Sequence, residues 1–219
     1  MDAFEKYGPT INQAWHHFVE QEKLSIEQAH AFEQYVLLLL AWNDTMNITT
    51  ITDIPVLLKD HFQDSLHLAH VMPLTAHDWI CDVGSGGGFP GIPLKIMYPE
   101  VPMVLLEVNT KKIRFLTTVI ATLGLRTIEV CSSDWRTFIR KAPYPITLFL
   151  ARASLRPDEL IRIFKPGCVY KHARLIYWAS RAWELGAKEV PFLEKEERYD
   201  IGNKHRRLLF FKQPENALV

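Results

Sequence analysis

The chain has 219 residues, 25 Lys and Arg against 25 Asp and Glu, 48% hydrophobic and 23% charged content. That suffices for one sizeable domain with a short extension, and the zero net charge lends no global support to nucleic-acid binding. Three cysteines (Cys81, Cys131, Cys168), odd in number and without a CxxC spacing, exclude a disulfide framework and a zinc site and suit a reducing cytosol. The start, MDAFEKYGPT, lacks the apolar core of a signal peptide, and the longest apolar run, Tyr35 to Trp42, is too short to span a bilayer. A cytoplasmic location is expected.

Residues 10–24 and 26–42 read as helices. Ser25 and Gln28 have the spacing of a capping box, and Phe32, Tyr35, Val36, Leu39 and Leu40 recur at helical spacing. A third helix is expected from about residue 54 to 71. On it, Asp64, His67 and His70 share a face. No third-ligand cluster accompanies them, so hydrogen bonding is the expected role rather than metal binding. Residues 1–74 thus form a helical N-terminal extension packed on a main domain of residues 75–219.

From Asp78 the pattern changes. Short apolar strands are expected at 79–83, 101–107, 127–131, 146–151 and 174–178, with two more near 188–192 and 206–212. Helices are expected at 111–124 and 155–164, and Pro90 and Pro93 fit the first turn of another. Alternating strands and helices predict an α/β domain with a mostly parallel seven-stranded sheet, the last pair antiparallel.

The most informative segment is Asp82 to Gly91. Glycines there allow left-handed backbone and close approach of a ligand, and the loop lies where open α/β sheets bind ligands. Two registers compete. A G-x-G-x-x-G spacing from Gly86 to Gly91 would suit a dinucleotide, but it starts late and contains Pro90. The other, Asp82-x-Gly84-x-Gly86-x-Gly88, resembles the first motif of class I methyltransferases, whose cofactor carries a sulfonium and an amino-acid tail. The second register is favoured. Glu107, ending the second strand, suits both ribose hydroxyls of a nucleoside cofactor.

The run DVGSGGGFPGIPL (82–94) is similar to the corresponding segment of the bacterial RsmG family, also called GidB. Trp42 to Thr49 (WNDTMNIT) resembles its W-N-x-x-x-N-L-T box. His61 to Ser65 resembles its H-x-x-D-S segment, Lys112 to Leu116 its K-R-x-x-F-L helix start, and Arg152-Ala153 its S-R-A element. The resemblance spans residues 35 to 155 and, more faintly, the tail. It implies a Rossmann-like class I fold and S-adenosylmethionine-dependent methylation of guanine N7 in 16S rRNA, on naked rRNA or an assembling subunit.

The resemblance implies cofactor contacts from Asp82, Gly84, Gly86, Gly88 and Phe89, with Glu107 on the ribose. It places the adenine near Asp134, Trp135 and Arg136, where the family usually shows an acid in the pair. Arg152 would face the methyl group and the base, as the candidate catalytic residue. Lys111, Lys112, Arg114, Arg206 and Arg207 are candidates for RNA phosphates. Two further departures stand out: Ala151 replaces the serine of S-R-A, and Tyr177-Trp178-Ala179-Ser180 replaces a lysine-glycine pair. Guanine N7 has an in-plane lone pair and no proton, so positioning rather than a general base is required. No heptad or long exposed apolar stretch demands a partner, so a monomer is expected.

Overall fold

The computed structural model describes residue 4 and residues 7–214. Its sheet has seven strands in the order β3-β2-β1-β4-β5-β7-β6. The strands are β1 (Ile80–Val83), β2 (Met103–Leu106), β3 (Ile128–Cys131), β4 (Leu148–Arg152), β5 (Arg174–Ser180), β6 (Leu193–Ile201) and β7 (Lys204–Phe211). The first five pair in parallel, and β7 joins β5 and β6 antiparallel. Every residue of β1 and β2 is buried, which explains why they read as continuous apolar runs rather than alternating ones.

The period of two divides the core. Ile80, Met103, Leu105, Leu148 and Leu150 face one side, with α5 (Gly91–Met97), α6 (Thr110–Thr122) and the N-terminal helices. Cys81, Val83, Val104, Leu106 and Phe149 face the other, with α7 (Trp135–Lys141) and the segment from α8 (Pro157–Leu160) to Phe164.

The N-terminal part consists of α1 (Pro9–Gln21), α2 (Ile26–Met46) and a continuous rod from α3 (Ile54–Leu57) to α4 (Asp64–Val71). Ser25 forms the expected capping box with Gln28, and Asn47 closes α2 in the left-handed conformation. A chain of rings then fastens the extension to the sheet. Phe32 meets Phe62 at 5.3 Å, Phe62 meets Tyr35 at 5.3 Å, and Tyr35 stacks on Phe89 at 5.4 Å.

Four local readings of the sequence are corrected. The helix over 54–71 contains a π-helical stretch, Leu58–Gln63, which shifts the register of the side chains after it. Helix α7 was not expected: it buries only Trp135 and Phe138, too short a stripe to show periodicity. The expected helix at 155–164 is the short α8 followed by a 3₁₀ turn, Ile161–Phe164. The strand expected near 188–192 lies at 193–201. Val190–Phe192 is a 3₁₀ turn around Pro191, whereas β6 is a charge-rich edge strand with little apolar alternation to read.

Candidate active site

The carboxyl end of β1 bends at once into the glycine loop. Gly84, Gly86 and Gly88 all have positive φ. A Cβ at Gly84 would lie 2.5 Å from the Ser154 side chain, and one at Gly88 would lie 2.6 Å from both Ile92 and the Tyr35 hydroxyl. Only glycine satisfies both the dihedrals and the crowding there. The Tyr35 hydroxyl, reaching from α2, donates to the Gly87 carbonyl. The extension therefore holds the loop directly.

Asp82 lies fully buried beneath the bend. Its Oδ2 accepts from the Gly91 N–H at 3.0 Å, and its Oδ1 has no hydrogen-bond partner. Burial raises its pKa from the ordinary 3.8 to about 7. Glu107 faces the bend from the end of β2. Its Oε2 accepts from the Gly86 N–H at 2.9 Å, and its Oε1 takes the N–H groups of Val108 and Asn109, each at 2.9 Å. The Gly91 N–H at the start of α5 is committed to Asp82, and a Cβ on Gly91 would lie 2.7 Å from Leu105. That glycine serves helix-to-sheet packing, and its N–H is not open to a ligand phosphate.

The loop opens on a cavity of about 470 Å³. Gly84, Gly86, Phe89, Lys112, Arg152 and Arg206 line it among the expected residues, and Asp60, Tyr177, Trp183 and Lys204 line it unannounced. Tyr177 and Trp183 form an aromatic wall, their rings 5.7 Å apart.

Arg152, from the end of β4, gathers the sequence boxes into one network. Its Nη1 donates to the Asp60 carbonyl at 2.9 Å and to Asp64 Oδ2 at 3.0 Å. Its Nη2 meets His61 Nδ1 at 2.8 Å, and its guanidinium lies 5.2 Å from the centre of the Phe89 ring. Arginine only donates, so His61 Nδ1 accepts, and the Nε2–H of His61 donates to Thr49 Oγ1 at 3.0 Å. Thr49 is anchored in turn, its N–H donating to Asn43 Oδ1 at 2.8 Å. Asp64 is nearly fully buried and receives the Tyr199 hydroxyl from β6 at 2.8 Å, while the Trp178 indole donates to its carbonyl at 2.8 Å. Arg152 is thus a rim residue whose donors are largely committed to the extension, not a free side chain aimed into the cavity. Burial first, then the nearby Arg152, Lys204 and Arg206, depress His61 from 6.5 to about 3. With both ring nitrogens engaged, it is held as a neutral spacer stacked 4.5 Å from Phe89.

The remaining expected residues lie elsewhere or are already occupied. The Trp135 side chain is buried against Phe149, and its indole N–H donates to the Glu159 carbonyl at 3.1 Å. Asp134 caps α7 by accepting from the Thr137 N–H at 3.0 Å. Arg136 pairs with Glu159 at 2.8 Å. These three side chains are therefore not brought into the cavity, and only backbone of the β3–α7 turn stays available to a ligand there. Lys111 and Arg114 are exposed on α6 outside the cavity. Arg207 holds the chain after β5, donating to the carbonyls of Ser180 and Trp183, and is mostly buried. It is a structural arginine rather than an open phosphate ligand. His67 stacks on Tyr199 with ring centres 3.6 Å apart, and His70 pairs with Glu22 at 3.0 Å. Among the described residues no group of three His, Cys, Asp or Glu is arranged to hold a metal.

The residues that sequence reasoning missed share a cause. Asp60, Lys204 and Tyr199 come from segments far apart in the chain, and Lys204 reaches Asp60 only because the β6–β7 hairpin folds back over the π-helical stretch. Tyr177 carried a signal as part of the departure from the family pattern within β5 and Trp183 carried none, and nothing in the sequence turned either toward the glycine loop.

Comparison with known proteins fits this geometry. The family model described as "GidB: rRNA small subunit methyltransferase G" matches residues 28–195. A ribosomal RNA small subunit methyltransferase G of Geobacillus sp. (strain WCH70) is 37% identical over 216 residues, covering 93% of this chain and 91% of the relative. The enzyme of that name from Staphylococcus epidermidis is 31% identical over 198 residues, covering 89% and 80%. Among solved structures, the putative methyltransferase yhhF of Escherichia coli superposes with a TM-score of 0.53 at 17% identity, covering 69% of this chain and 88% of that one. A SAM-dependent methyltransferase from Aquifex aeolicus gives 0.52 at 16%, covering 75% and 97%. The structural likenesses bear on the fold, and the sequence likenesses run along nearly the whole chain: the protein belongs to the GidB family, rRNA small subunit methyltransferase G.

Proposed function

We propose that this chain transfers a methyl group from S-adenosylmethionine to guanine N7 of 16S rRNA. The observation that carries the reading is the acid-flanked bend after β1. The buried Asp82 retains a partnerless Oδ1, and Glu107 retains acceptor capacity on Oε2, at a loop whose glycines leave no side chain in the way. These features fit a cationic nucleoside with hydroxyl and ammonium donors. When bound, that cofactor supplies an electrophilic methyl group. Gly84, Gly86 and Phe89 line the cavity that would hold it, with Glu107 at the edge of the bend and the buried Asp82 supporting the loop from beneath.

The chain's own residues then position the acceptor. The wall of Tyr177 and Trp183 offers a stacking surface for an unpaired base, as RNA sites commonly do. Lys112 at the rim supplies a cation for flanking phosphates, and Lys204 and Arg206 lie beside it, paired with Asp60 and Asp64 in the free protein. N7 needs no proton removed, which agrees with a site whose histidine has both nitrogens committed. Arg152 acts as a positioning residue, keeping Phe89 and the extension in register with the loop.

The test is methyl transfer from labelled S-adenosylmethionine to small subunits lacking this modification, followed by mass spectrometry of the nucleosides. 7-Methylguanosine is the expected product. Methylation of another atom or base would refute the N7 assignment, and no transfer to RNA would refute the substrate class.

A further inference from the structure

A second cavity, of about 710 Å³, lies between α7 and the 3₁₀ segment after α8. Four cations line it, Arg136, Arg140, Arg162 and Lys165, and no carboxylate does. This concentration is notable in a chain of zero net charge. Glu159 neutralises part of it, pairing with Arg136 at 2.8 Å and Arg162 at 3.4 Å. Arg140 spends only its Nε, on the Arg136 carbonyl at 2.9 Å, and both Arg140 and Lys165 are exposed. The lining between them includes Ile139 and the 78% exposed Val169.

Topology starts this groove at the site's end of the sheet and leads it toward the amino ends of the strands, where Arg140 and Lys165 lie. Helix α7 starts just beyond the carboxyl end of β3, and β3 runs parallel through β2 to β1, whose carboxyl end carries the glycine loop. Arg136 therefore sits at the sheet end where the cofactor loop lies, and Arg140 follows one turn further along α7. An extended polyanion leaving the active site has a cationic track to follow on the opposite face of the sheet from the extension.

We propose that this groove is a second docking site for the sugar-phosphate backbone of the RNA substrate, with Arg140 and Lys165 as its open phosphate ligands. The proposal rests on the chain acting on RNA. Cations line the groove at spaced positions around an apolar floor, which suits a backbone carrying repeated charges and sugar faces rather than one small anion. Binding through it is sequence-independent and strongly salt-dependent.

The experiment measures binding of a 16S rRNA fragment by fluorescence anisotropy between 50 and 200 mM salt. It uses the full chain and the double variant Arg140→Gln, Lys165→Gln. Two lost phosphate contacts flatten the log–log salt slope by about 1.4–1.8, so the wild-type affinity should fall about tenfold more steeply across that range. Maximal methylation rate at saturating RNA and affinity for S-adenosylmethionine should be unchanged, which separates docking from misfolding. Arg126→Gln, outside the groove lining, serves as the control. An unchanged slope in the double variant overturns the proposal, as does an equal per-charge loss in the control. So does an unchanged affinity for naked RNA with weakened binding only to assembled subunits, which would place a protein in the groove. Wild-type protein that fails to methylate or bind any RNA refutes the underlying function instead.

Discussion

Two buried groups at the site titrate in opposite senses. The Asp82 carboxyl is raised to about 7, so the stability from its neutral form is complete below about pH 4 and is lost as pH rises through 7. His61 is depressed to about 3, so its contribution is complete above 6.5 and is lost as pH falls toward 3. Between about pH 4 and 6.5 the two slopes oppose, each at most about 1.4 kcal/mol per pH unit. Relative to wild type, Asp82→Asn should gain stability as pH rises through that window, and His61→Gln should lose it, in urea unfolding followed as a function of pH. Parallel curves for all three proteins would show that neither group carries the assigned shift. Arg152 belongs to the same scale. Arg152→Ala leaves the buried Asp64 with only the longer Arg206 contact at 3.7 Å in place of the 3.0 Å pair, and should cost about 3 kcal/mol in the same assay. Arg152→Lys keeps the charge but lacks the planar fork that serves Asp60, Asp64 and His61 together, so it should recover only part of the loss. A loss of activity with full stability would instead restore Arg152 to a direct role in the reaction.

At the scale of elements, α2 and the glycine loop act as a pair. The Tyr35 ring packs among Phe62, Phe89 and Phe115 while its hydroxyl holds the Gly87 carbonyl. Tyr35→Phe preserves the packing and removes only the donor. We expect a stability loss of about 1–2 kcal/mol and a several-fold weaker affinity for S-adenosylmethionine by calorimetry, because the loop loses its external anchor. Unchanged affinity would mean that the loop holds its shape without α2. The π-helical stretch sets which acids and histidine the extension presents at the site. Asp60 and His61 lie within it and Asp64 directly after it, and all three face the cavity. Regular α-helical spacing would distribute them differently, and the apolar pattern of 54–71 contains no sign of the extra residue per turn.

At the scale of the whole molecule, the extension and the sheet share one hydrophobic core. Phe18, Phe32, Tyr35 and Phe62 belong to the same cluster as Ile80, Leu105, Phe115 and Leu150. A chain starting at residue 75 would expose the face of α5 and β1 that these rings cover. It should retain far-UV helical and strand signals, lose near-UV ellipticity and bind hydrophobic dye. Native-like near-UV spectra from that fragment would establish the 75–219 unit as independently stable.

The acid–glycine bend, the strand ending in Glu107 and the parallel α/β alternation were legible in the residues, because each rests on local rules. Glycine takes these dihedrals at least cost, a fully buried strand reads as a continuous apolar run, and capping follows from neighbours three residues apart. The likeness of the boxes at 42–49, 61–65, 82–94 and 152–153 pointed to one family, yet not to their meeting around a single guanidinium. That meeting, the burial that shifts Asp82 and His61, the commitment of Trp135 and Arg207 to structural contacts, and the cationic groove between α7 and Lys165 were decided by tertiary structure. They depend on contacts between residues distant in the chain, whose energies no local pattern of residues encodes.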